Sequence, residues 1–180
     1  PELPDQKKER FINEYSLTSY EANILVSEKE ISDYFEKVVK NSDKKLAKNW
    51  IMGDLFASLN EKNISISESP VTSNKMSQLI DSISSGVISG RTAKEVFEIM
   101  KETGEEPKKI IESKGLQQKS DPKELEKIID KITSDNKDKV TQYKSGKDKL
   151  FGFFVGQVMK VSGGKANPQL VNEILKKKLK

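Results

Sequence analysis

Apolar positions recur along most of the chain at the three- and four-residue spacing of one helix face, and almost nowhere at the two-residue spacing of a half-buried strand. Ile31, Tyr34, Phe35, Val38 and Val39 fall at i, i+3, i+4, i+7 and i+8, which turns one side of a helix toward a core. Phe11 and Tyr15 make an i, i+4 pair in a first helix that Asp5 is expected to cap, before a break at Ser16–Ser19. Ser19 opens a short second helix to Val26, and Ser27 is expected to cap the third. Asp43 precedes a stretch, 44–62, whose Leu46, Ala47, Trp50, Ile51, Met52, Leu55, Phe56 and Leu59 leave little polar circumference. Such a helix belongs in the middle of a bundle.

Residues 65–71, with Pro70, read as a connector. Met76, Leu79, Ile80 and Ile83 then mark a helix, a turn follows at Gly86–Gly90, and Ala93, Val96, Phe97 and Met100 mark another helix that stops at Gly104. Pro107 suits the first turn of a short helix, 106–113, before Gly115. The polar stretch Leu116–Ser120 is the expected domain boundary. Beyond it, Asp121 and Pro122 are a cap and a first-position proline, with a stripe of Leu125, Ile128, Ile129 and Ile132. A helix at 136–145 ends on Gly146, and 147–161 and 168–179 complete the tail. The longest alternating segment, Ile64–Ile66, is too short to found a sheet. The expected fold is all-α: a multihelical bundle over 1–118 and a small three-helix tail over 119–180.

Leu, Ile, Val and Phe make up 47 of 180 residues, above the roughly 20% below which a chain stays disordered, so it folds around a modest core. No uninterrupted apolar run exceeds three residues, so neither a transmembrane helix nor a signal-peptide core is expected. The chain begins at Pro1 without a Met, which suggests a piece of something longer. There is no His and no Cys, which removes thiol nucleophiles, disulfides, Ser-His triads and the usual zinc sites. Ser-x-x-Lys matches occur only at chance frequency. Gly163-Gly164-Lys165 lacks the first glycine and the closing Ser or Thr of a phosphate-binding loop, with Met159 and Ala166 in those places. No catalytic residue is expected.

Charge separates the two parts more sharply than any motif does. The net charge of +4 divides into −3 over 1–118 and +7 over 119–180, and 139–180 alone holds 10 lysines against 2 acids. Such a surplus points to a polyanionic partner. With Arg10 and Arg91 the only arginines, bidentate readout of guanine is disfavoured. Point contacts from ammonium groups to phosphate, led by shape, are expected instead.

At about 100° per residue, Phe151, Phe154, Val155 and Val158 share one face of the 147–161 helix. Lys149, Phe153, Gly156, Gln157 and Lys160 share the other. An aromatic between lysines can stack on a base, and a mid-helix glycine is costly unless something approaches the backbone closely. Packing of Phe153 and Gly156 on a neighbouring helix explains the pattern equally well. Asn167 and Pro168 can cap and start the last helix, whose free amides beside Lys165 would suit an anion.

Five blocks in order, Pro1–Asp5, Leu46–Trp50, Ser89–Phe97, Phe154–Lys160 and Gly164–Pro168, resemble the C-terminal portion of the B subunit of the aspartyl/glutamyl-tRNA amidotransferases, with a tail of the GatB/YqeY type. The resemblance covers the whole chain. Stand-alone proteins with the same tail resemble only 32–180. The family implies conversion of misacylated Glu-tRNA(Gln) or Asp-tRNA(Asn) to the amidated form, the side-chain carboxylate being activated with ATP and then attacked by ammonia released from glutamine in a partner protein. ATP and magnesium belong, in the family, to an N-terminal cradle outside this chain, so neither cofactor is expected here and no activity is expected of the fragment alone. The partners implied are tRNA(Gln) or tRNA(Asn), the amidase (A) subunit together with the small (C) subunit, in the cytoplasm and away from membranes. The tail is expected to hold the outer corner of the tRNA through Gly156, Gln157, Lys160, Gly164, Lys165 and Asn167, to which the helix angle adds Lys149 and Phe153. The rival reading is a module that docks on another protein of the complex without touching RNA.

Overall fold

The computed structural model describes residues 2–118 and 121–180. Pro1 of the leading block, and Lys119 and Ser120 of the expected boundary, lie outside the described residues. The chain divides into two compact units, one running to Ser85 and resuming at Gly90–Lys114, the other comprising Gly86–Ser89 and Gly115–Lys180. The change of unit thus falls at Lys114/Gly115, and the second unit also takes the loop 86–89. Every regular element among the described residues is helical.

The first unit begins with α1 (Pro4–Tyr15) and α2 (Ser19–Val26). Asp5 is not the cap of α1: proline fixes the helical φ one residue earlier, so Pro4 opens the helix after Leu3, and Asp5 lies in the first turn. Thr18 caps α2 in a reciprocal box, its hydroxyl accepting from Glu21 N at 3.2 Å while its own N–H donates to the Glu21 carboxylate at 2.8 Å. A second correction concerns α3 (Lys29–Val39), which starts after Glu28 rather than Ser27. The Ser27 hydroxyl instead donates to the Ile24 carbonyl at 2.7 Å, so it serves the end of α2.

Stretch 44–62 is continuous helix capped by Asp43, but not uniform. It comprises α4 (Lys44–Trp50), a π-turn (Ile51–Leu55) and α5 (Phe56–Lys62). In that turn the Phe56 N–H reaches the Ile51 carbonyl five residues back, the signature of one inserted residue. Trp50, Ile51, Leu55 and Leu59 are buried, whereas Leu46, Met52 and Phe56 keep some exposure. A 3₁₀ turn (Ile66–Glu68) leads to α6 (Ser73–Ser84), α7 (Gly90–Thr103) and α8 (Pro107–Lys114).

Two aromatic groups organise this unit. Phe11, Tyr15 and Phe35 meet with ring centroids 5.2–5.5 Å apart. Trp50 lies 5.7 Å from Phe97, joining two of the sequence blocks. Lys94 sits over the Trp50 ring and pairs with Asp54 at 2.9 Å. Several cations are paired inside the unit: Arg10 bridges Glu2 at 2.7 Å and Glu36 at 2.6 Å, and Lys48 meets Glu21 at 2.8 Å. Hydrogen bonds to the Glu2 and Glu36 carboxylates hold the Arg10 guanidinium even more firmly protonated than usual.

The second unit contains α9 (Pro122–Asp135), α10 (Lys137–Lys144), α11 (Leu150–Val161) and α12 (Pro168–Lys178). Leu125 and Ile129 of α9, Phe154 and Val158 of α11, and Val171 and Leu175 of α12 are fully buried together, so three helices make the core. By contrast, α10 buries no residue completely and rests on the core through half-buried Val140 and Tyr143.

Tyr34 gives a test of the bundle. Its buried hydroxyl donates to the Val71 carbonyl, 37 residues away, at 2.7 Å, and burial pushes the phenol well above its ordinary value. Ser69 Oγ donates to the same oxygen at 3.2 Å, so removal of the phenol does not leave the carbonyl bare. Tyr34→Phe is therefore expected to lower stability by about 1 kcal/mol, within the usual net range for one hydrogen bond, as measured by urea unfolding.

Candidate nucleic-acid interface

The candidate surface is built on α11. Twelve residues of helix present one face to the core, and burial of Phe154 and Val158 settles which. Phe151 and Val155 flank them, half-buried against the same core. Lys149, Gly156 and Lys160 are consequently exposed, with Gln157 and Phe153 half-buried at the edge. Gly152, one turn before Gly156, is exposed on the same side. Sequence reasoning missed it, although its helical angle lies within the same face.

The glycines are informative because the chain itself makes no use of their smallness. A Cβ built on Gly152 or on Gly156 would meet nothing within 4 Å. Packing of Gly156 on a neighbouring helix is therefore absent from this unit. What remains is a strip of helix surface with no side chains, bordered by the Lys149 and Lys160 ammonium groups.

Phe153 is not a free platform. Its ring stands edge-on to Phe154 at 5.5 Å and packs on the core, while the Lys139 ammonium lies 3.7 Å from its centroid. Lys139 is a further member of this surface that the sequence did not reveal, since the contact spans a helix and a turn that no local pattern encodes.

The turn after α11 is closed by its own backbone. Gly164 has φ +78°, and its N–H donates to the Met159 carbonyl at 2.8 Å, a left-handed helix ending that favours glycine. Buried Ser162 accepts from Ala166 N at 3.2 Å. Asn167 Oδ1 accepts from Gln169 N at 3.1 Å, capping α12 with Pro168 in first position. These bonds place Lys165, whose ammonium donates to the Gly115 carbonyl at 2.7 Å within the same unit. Gly164 and Asn167 thus have complete structural reasons to be what they are, and Lys165 already has a partner. Lys178 pairs with Asp130 at 3.0 Å, which raises its affinity for the proton. Lys149 and Lys160 have no ion pair among the described residues.

Among the described residues no group of three or more carboxylates is placed to hold a metal ion. No helix among the described residues is long and apolar enough to cross a membrane.

Comparison with known proteins places the chain. A family model described as the GatB domain matches residues 33–179. The B subunit of the aspartyl/glutamyl-tRNA(Asn/Gln) amidotransferase of Pelagibacter ubique is 61% identical over 183 residues, covering 99% of this chain and 37% of the relative. The proteins of the same name from Nitrosococcus oceani and Rickettsia africae are 52% and 50% identical, covering 99% of this chain and 38% and 37% of themselves. The chain spans under two-fifths of the length of these curated relatives.

The glycines yield opposite expectations according to their backbone. Gly152→Ala and Gly156→Ala each raise stability by about 0.5–1 kcal/mol, the ordinary cost of glycine inside a helix. Gly164→Ala lowers it by about 1–2 kcal/mol, because an L residue is strained at that φ. Thermal unfolding of the three variants measures both signs.

Proposed function

The chain belongs to the GatB domain family, and on that premise we propose that it is the RNA-holding arm of an amidotransferase B subunit, with the exposed face of α11 meeting the outer corner of tRNA. The observation that carries this reading is the open strip at Gly152 and Gly156 between two lysines that have no ion pair among the described residues. A sugar-phosphate backbone fits such a strip. It brings negative charge to Lys149 and Lys160, and it needs close approach to a helix without intervening side chains. With arginine absent from the tail, the contacts read shape and charge rather than base edges.

On this proposal the arm supplies binding energy and orientation, and the misacylated end of tRNA(Gln) or tRNA(Asn) is amidated elsewhere in the longer protein. The ATP- and magnesium-dependent activation, the amidase (A) subunit that releases ammonia and the small (C) subunit all lie beyond this chain. Gln157, at the edge of the strip, offers an amide to a ribose hydroxyl or phosphate. Lys165, with one ammonium hydrogen on the Gly115 carbonyl, has two others to offer a phosphate.

Affinity for a tRNA transcript measured against salt tests the proposal. Each phosphate neutralised adds about 0.7–0.9 to the steepness of the log–log plot, so Lys160→Ala is expected to flatten it by that amount. Gly156→Leu, which fills the strip without changing charge, is expected to weaken binding by about tenfold at unchanged slope, near 1.4 kcal/mol. A slope that Lys160→Ala leaves unaltered, with an affinity that Gly156→Leu leaves unaltered, removes this face from the RNA interface and favours docking on another protein of the complex.

A further inference from the structure

Lys139 and Phe153 form the closest cation–ring contact among the described residues, with the ammonium 3.7 Å from the ring centroid. The other contacts of this kind lie at 5.2–5.8 Å. Lys139 is half-buried and has no carboxylate partner among the described residues. It stands on α10, the tail helix that buries no residue completely and is therefore the element of this unit with the least packing to hold it still. Phe153 is fixed from behind by Phe154 and the core, so of the two partners the lysine is the one free to move.

Resting on the RNA reading of the α11 face, we propose that Lys139 is a displaceable cover over a base-stacking site on Phe153, and that a nucleotide takes both halves of the pair: its base replaces the ammonium on the ring and its phosphate receives the ammonium. Both exchanges keep each group partnered. The ring trades a cation for a base, and the cation trades a quadrupole for a full negative charge. A neutral aromatic base lacking an adjacent phosphate would have to expel the ammonium into solvent, so the cover selects nucleotides over other flat apolar ligands. In the free protein it also keeps an aromatic ring face from standing open to water.

The experiment is NMR of the lysine ε-methylene groups in the full chain, with and without a tRNA transcript. In the free chain the Lys139 ε resonance is expected upfield under the ring current of Phe153, and Phe153→Leu, which leaves the core filled, abolishes that displacement. Saturating tRNA is expected to return the resonance to the ordinary lysine position in the unsubstituted chain. In binding assays Lys139→Gln flattens the salt dependence by about 0.7–0.9. Phe153→Leu weakens binding by about 5- to 150-fold with the slope unchanged, the span of one lost base stack. If tRNA binds with a slope that depends on Lys160 while the Lys139 resonance stays upfield, the displaceable cover is wrong and the RNA reading stands. If the chain shows no salt-dependent tRNA binding, both fall.

Discussion

A short helix has only one face to bury, and in the tail unit α11 gives that face to Phe154 and Val158. Everything proposed for the surface follows from this packing. With those two side chains set among Leu125, Ile129, Val171 and Leu175, the rotation of the helix is fixed, and Lys149, Gly152, Gly156 and Lys160 have no alternative to solvent. Each fully buried aliphatic or aromatic side chain stabilises by about 1.5–3 kcal/mol, whereas two mid-helix glycines together cost about 1–2 kcal/mol relative to alanine. The core can carry two such glycines, and it orients the face on which they lie.

The two units treat their charges differently, which is the physical content of the uneven charge along the chain. In the bundle, Arg10, Lys48 and Lys94 are bound to carboxylates of other segments, so these ions serve the fold. In the tail, acids are too few for that. Lys178 finds Asp130, Lys165 a carbonyl and Lys139 a ring, while Lys149 and Lys160 find no ion pair within the described residues. Self-repulsion among them is a standing cost that a polyanion relieves.

Much of this is legible in the sequence, for reasons that differ by residue. Phe154 and Val158 can be placed inside and Lys149 and Lys160 outside because helical periodicity needs no tertiary information. Asn167, Pro168 and Asp121 belong to capping patterns that act within three residues. Two other caps mislead for a similar reason: Asp5 and Ser27 are suitable residue types, but Pro4 starts its helix sooner and Ser27 bonds backward to Ile24. The π-turn at Ile51–Leu55, where Trp50, Leu55 and Leu59 are all buried, has no local signal. Gly164 is implied as an RNA contact by the resemblance, and its left-handed φ, which favours glycine, adds a structural role that no local pattern displays. The Lys139–Phe153 and Lys165–Gly115 contacts join residues 14 and 50 positions apart, beyond the reach of any local pattern.

Whether the outward face of α11 lies against RNA can be measured directly, because the chain has no cysteine. Val161→Cys places a single thiol at an exposed position, 61% accessible, at the end of that helix, where an iron chelate can be attached to cut nearby RNA with hydroxyl radicals. Our reading predicts cleavage confined to the outer corner of a bound tRNA. Cleavage spread evenly along the RNA, or none above that of the unattached reagent under conditions where the tRNA is bound, would contradict it.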